Sequence, residues 1–225
     1  IVFVIDENST DDSRWHTGHE LQRENYSYIL EKVLEFPWLG VIFKPKRASD
    51  LRRRLGPVAD LLEKAKKTGR CFIYESSGRH TTLAPPILAG LSADICIHSD
   101  LSGGTPALEC ALGGVPTLLI DREGSPCSKL YDLPEGKVIF KDWPSAIEAT
   151  LEHFNTPEGI AGFGDWSSII DDLDPFRDGK AAYRMGTYLH WLIEGFENNL
   201  DREVIMAKAA EKYKKQWGED KVITS

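Results

Sequence analysis

The sequence holds no run of about 18 consecutive apolar residues, the length that makes a segment a candidate to cross a bilayer. Positive charge is also short, with 27 Lys and Arg against 35 Asp and Glu and a formal net charge of -8. A general nucleic-acid binder needs a surplus of cations to neutralise phosphates, so that class is set aside, although local basic clusters can still hold a small phosphorylated ligand. The 4 cysteines, Cys71, Cys96, Cys110 and Cys127, are widely spaced, and the first three fall inside apolar patterns. That reads as reduced core thiols rather than a disulfide framework or a zinc site. No internal repeat, heptad array or low-complexity tract occurs, and no signal-peptide pattern precedes the first apolar run. The expectation is a cytoplasmic setting or the inner face of a membrane. Because the chain opens on Ile1 without an initiator Met, the natural protein is expected to extend further toward its N-terminus.

What is present is a regular alternation. Short apolar, β-branched runs recur at residues 1–5, 39–43, 71–74, 94–97, 117–120 and 138–140, each too continuous for a strand with one wet face. Amphipathic segments at 21–36, 57–67, 84–91, 106–112 and 144–154 lie between and after them. This order predicts a doubly wound, Rossmann-like α/β domain over 1–155, with a parallel sheet of about six strands covered on both faces. Residues 156–225 read as a Gly-, Asp- and Ser-rich connection with apolar islands near Phe163 and Ile169, followed by two C-terminal helices packing on that domain. The first, about 176–198, carries Tyr188, Trp191, Leu192 and Phe196 on its apolar side, and the second starts at an Asp201 N-cap.

The most informative stretch runs from Ala93 through His98 to Ser102-Gly103-Gly104-Thr105-Pro106 and Glu109. It reads as a buried strand, a glycine turn and a helix opened by proline. Amides at such a helix start carry the positive end of the helix dipole, and glycines admit an anion close to the backbone, so the turn is a plausible diphosphate seat. In a doubly wound sheet it falls at the carboxyl ends of the strands, near the point where strand order reverses.

Ser102-Gly103, then Glu109, then Gly114-Val115-Pro116 leading into a strand, resembles the donor-site signature of GT-B glycosyltransferases, including the peptidoglycan-precursor N-acetylglucosaminyltransferase and related polysaccharide enzymes. The resemblance covers roughly 93–121 by motif and 1–154 by strand-helix order. It implies the C-terminal, nucleotide-sugar-binding half of a GT-B transferase that moves a sugar onto a surface glycan or lipid-linked acceptor. An acceptor domain before Ile1 would then be missing, with the catalytic base in it. The resemblance also implies that Ser102, Gly103, Gly104 and Thr105 bind the donor phosphates, that Glu109 takes the ribose hydroxyls, and that neither a metal nor a cofactor beyond the nucleotide-sugar is needed. A carboxylate suits the ribose role because it is acceptor-only and can take two vicinal hydroxyls.

Other residues join this edge. Lys44 and Lys46 flank Pro45 after the second strand and would neutralise the leaving diphosphate. Ser9 and Thr10, after the first strand, could line the same phosphates, while His98, Ser76 and Asp121 close the fourth, third and fifth strands as candidate base or sugar contacts. Two rivals stand beside the transferase. A nucleotide-sugar 2-epimerase shares the architecture, but its acidic pair would fall where this chain has Ala107 and Leu108. A nucleotide-binding or scaffolding module without turnover is the non-enzymatic alternative.

Overall fold

A computed structural model describes residues 1–6, 9, 18–74, 85–99, 101, 104–122, 124 and 128–221. Its elements are β1 (Val2–Asp6), α1 (His19–Glu35), β2 (Val41–Pro45), α2 (Ala48–Leu55), α3 (Val58–Lys67), β3 (Cys71–Ile73), α4 (Pro86–Gly90), β4 (Ile95–His98), α5 (Thr105–Leu112), β5 (Thr117–Ile120), β6 (Ile139–Phe140), α6 (Trp143–Asn155), α7 (Ser167–Leu173), α8 (Ala181–Glu197) and α9 (Arg202–Trp217). The six strands form one parallel sheet in the order β3-β2-β1-β4-β5-β6, so the direction of winding reverses between β1 and β4. The expected doubly wound sheet is what the chain forms.

Both sheet faces are covered, which is why the strands read as unbroken apolar runs. On one face α1, α2, α3 and α6 pack on Val2, Val4, Val41, Phe43, Ile95, Ile97, Leu118 and Ile120. Tyr26 of α1 stacks on Phe43 at 4.5 Å and 14°. On the other, α4 and α5 cover Phe3, Ile5 and Cys96, with Cys110 of α5 among them. Cys71, Cys96 and Cys110 are free thiols in the interior, and burial pushes the Cys71 thiol up to about 12.

Three local features differ from the sequence expectation. β2 begins two residues later, so Lys44 and Pro45 are its last residues rather than a loop after it. Proline suits that end because the next ladder bond is given by Lys46, whose N–H donates to the Asp6 carbonyl at 3.2 Å. The Arg-rich stretch after it is the helix α2, held by Leu51 and Leu55. Within the expected connection, Phe163, Trp166 and Ile169 are buried. Trp166 Nε1 donates to the Thr117 carbonyl at 2.8 Å, and Gly164 at φ 68° sits where a Cβ would meet Thr117 N at 2.7 Å.

The chain divides into two compact units, Ile1–Ile169 and Ile170–Ser225. In the second, α8 and α9 form a hairpin in which Tyr188, Trp191, Tyr213 and Trp217 cover one another in a chain of ring contacts. Asp201 occupies the N-cap position of α9, but its side chain makes no capping bond. Among the described residues no helix is long and apolar enough to cross a membrane.

Candidate functional site

The carboxyl edge of the sheet carries the chemistry. At the end of β1, Asp6 is buried, and its carboxylate takes both hydrogens of a clamp from α1: Gln22 Nε2 donates to its two oxygens at 2.7 and 2.9 Å, and the Tyr26 hydroxyl donates at 2.9 Å. Arg54 of α2, 2% exposed, stands 4.0 Å from the same carboxylate and donates to Gln22 Oε1 at 2.7 Å and to the Arg47 carbonyl at 3.2 Å. Burial and the nearby Asp6 carboxylate hold the Tyr26 phenol well above its ordinary pKa, so it stays a donor.

Ser9 belongs to this cluster. Its hydroxyl donates to Gln22 Oε1 at 2.6 Å and lies 2.7 Å from His19 Nδ1, with Arg54 Nη1 at 3.3 Å. Because the hydroxyl has one proton and gives it to Gln22, His19 Nδ1 is the donor toward Ser9. Ser9 is thus built into the base of the switch-point crevice rather than presented at its surface.

Across the sheet, Lys44 pairs in register with Ile5 and therefore points to the α4–α5 face. There it is half-buried and close enough to Glu109 of α5 for the carboxylate to act on it. Burial lowers the Lys44 pKa, and Glu109 works in the opposite direction. Glu109 Oε1 also takes the Ile87 N–H at a long 3.4 Å. Lys46 is exposed, two residues further along the same edge.

α5 starts at Thr105 with Gly104 as N-cap and Pro106 in the first turn. Gly104 has an ordinary helical φ of -58°, so its glycine identity has a packing cause: a Cβ there would meet Leu130 Cδ1 at 2.6 Å and the Leu101 carbonyl at 3.3 Å. His98 is fully buried at the end of β4, in register with Ile5 and Leu119. Beside it the Ser99 hydroxyl donates to the Ile5 carbonyl at 3.4 Å and ties β4 to β1. Asp121, after β5, accepts from Tyr131 Oη at 2.9 Å and from Gly124 N at 3.0 Å. Ser102, Gly103, Thr10 and Ser76 lie outside the described residues.

Of the sequence candidates, the structure therefore puts Lys44 and Glu109 on the same face of the sheet, puts Gly104 and Thr105 at the start of the helix that carries Glu109, and gathers Ser9 into a separate buried cluster. That cluster rests on Gln22, Tyr26 and Arg54, which the motifs did not single out. Nor did they single out an open cavity of about 800 Å³ between the first half of α1, the segment after β5 and the start of α6, lined by Asn25, Tyr28, Arg122, Lys141 and Trp143 among others. Set against protein-family models, curated proteins and solved structures, the chain matches none.

Proposed function

We propose that this chain is the nucleotide-sugar-binding half of a GT-B glycosyltransferase that builds a surface glycan. The reading rests on one juxtaposition. The winding order reverses between β1 and β4, and on one face beside that reversal stand a half-buried cation on β2, Lys44, the carboxylate of Glu109 on α5, whose field acts on it, and the start of that same helix, with Gly104 as N-cap. A crevice at such a switch point is where open α/β sheets take their ligands, and helix amides with a lysine are the usual receptors for a diphosphate. On binding, Lys44 would turn to a phosphate and Glu109 to the ribose hydroxyls. The transferred sugar would pass from the diphosphate oxygen to an acceptor hydroxyl, with the departing charge stabilised by the α5 amides and Lys44. The acceptor's proton would go to a base outside this chain.

The test is calorimetric titration with nucleoside diphosphates of all common bases. Glu109→Ala should weaken the best binder by about tenfold, the size of one lost charge-assisted hydrogen bond, without changing the far-UV spectrum. A chain that binds none of them, or binds one equally well without Glu109, is not a donor domain of this kind.

A further inference from the structure

The cavity between α1, β5 and α6 lies on the face opposite Lys44 and Glu109, because α1 and α6 pack on the first core cluster and α5 on the second. At about 800 Å³ it falls in the usual range of small-molecule sites, roughly 300–1,000 Å³. Its wall carries three carboxylates, Glu24, Asp121 and Asp142, against two cations, Arg122 and Lys141. That balance disfavours a phosphate or any other strongly anionic guest.

Several of these groups are already committed to the protein. Asp142 caps α6 through the Ser145 N–H at 2.8 Å, Asp121 takes Tyr131 and Gly124, and Arg122 donates to Asn25 Oδ1. What remains facing a guest is a mixed set. Glu24 is an acceptor, Lys141 and the Asn25 amide are donors, and the Tyr28 hydroxyl is both. Neither Glu24 nor Lys141 is held in an ion pair with a described residue. Trp143 borders the cavity but is 2% exposed, its ring packed into the core cluster.

We infer that this cavity binds a neutral sugar ring, a unit of a glycan chain. Vicinal hydroxyls both give and take hydrogen bonds, so they match an alternation of carboxylate, ammonium, amide and phenol groups that no single-charge ligand would satisfy. The partly exposed Tyr28 ring offers apolar area to the C–H face of the sugar. The inference rests on the donor-domain reading only for why a glycan would be held there, and not for the binding itself.

Saturation-transfer NMR on the whole chain with the methyl glycosides of glucose, galactose and N-acetylglucosamine tests it. At least one should receive saturation on its ring protons. Glu24→Gln combined with Lys141→Met, both at exposed positions, should weaken it by about tenfold, and Tyr28→Phe, which keeps a ring and removes the hydroxyl, should weaken it as well. The site assignment is overturned if none of the three glycosides binds, if the variants bind as the unaltered chain does, or if inorganic phosphate displaces the glycoside. Nucleotide titrations on the same variants separate the two proposals: glycoside binding without any nucleotide binding removes the donor domain alone, and nucleotide binding without glycoside binding removes this site alone.

Discussion

The buried cluster around Asp6 shows how few residues set the geometry of the switch point. Arg54 reaches from α2 to the ends of both β1 and β2, because its guanidinium meets Gln22, Ser9, Asp6 and the Arg47 carbonyl. Removing it would take away the buried cation that faces the Asp6 carboxylate. Arg54→Met should therefore destabilise the protein by about 3–5 kcal/mol in urea unfolding, and Asp6→Asn added to it should recover part of the loss. Strictly additive losses would mean the two side chains do not act as a pair. Two clues to this cluster stood in the sequence: Gln22 and Tyr26 occupy the apolar face of α1, and Arg54 falls three residues after Leu51, on the buried side of α2. The Arg52-Arg53-Arg54 run hid the second clue, since composition alone cannot separate a buried arginine from its exposed neighbours.

Lys44 carries a second prediction at this scale. Its pKa is lowered by burial, so above that value it offers a bound diphosphate no charge. Affinity for a nucleoside diphosphate should fall as pH rises through the lowered pKa, earlier than for a lysine at the ordinary 10.5. Lys44→Arg should flatten that decline, because a guanidinium keeps its proton. Identical pH profiles for the two proteins, measured by calorimetry, would remove Lys44 from the phosphate site.

At the scale of elements, close backbone approach decides more than conformational freedom. Gly164 combines a positive φ with a Cβ position 2.7 Å from Thr117 N, so it clamps the chain against the start of β5, where Thr117 N donates to the Gly164 carbonyl at 3.0 Å. Gly164→Ala should cost more than the roughly 1 kcal/mol of an ordinary left-handed glycine, since backbone must move as well. A loss of a few tenths of a kcal/mol in denaturant unfolding would show that the clamp yields freely. The start of α8 is fixed differently. Asp178 takes both ends of the Arg184 guanidinium and the Lys180 N–H, and chiefly the Arg184 guanidinium holds the Asp178 carboxyl at about 2 against the ordinary 3.8. A depressed folded-state value contributes stability above the unfolded one and loses it as pH falls from near 3.8 toward 2. Helicity of this segment should decline over that window in circular dichroism, and Asp178→Asn should remove the pH dependence there. The sequence pattern located most of these elements to within two or three residues. It passed over α2 and α7, where a run of arginines and a Gly-, Asp- and Ser-rich setting left only two and three apolar residues, respectively, beyond alanine to mark a face.

For the molecule as a whole, the sequence carried the sheet far better than the cavity, and the reason is range. A strand or an amphipathic helix is written in neighbouring residues, whereas the Arg122–Asn25 contact that walls the cavity joins positions 97 apart. The same contrast between local and long-range support separates the two compact units. Ile1–Ile169 holds all six strands and both core clusters, while in the hairpin only Arg184, Gly195, Ile205 and Ala209 are buried on α8 and α9. Helices of 17 and 16 residues are marginal in water without a buried face, and four buried positions, one of them glycine, give little to hold them. Residues 1–174, which keep α7 whole, should therefore fold alone with a cooperative thermal transition close to that of the full chain. Residues 175–225 alone should lose most of their helical signal. Circular dichroism melts of the two pieces beside the intact chain decide the matter: a broad, non-cooperative melt of 1–174 would mean that the sheet's core is completed by the hairpin, and stable helicity in 175–225 would mean that the aromatic contacts of Tyr188, Trp191, Tyr213 and Trp217 suffice by themselves.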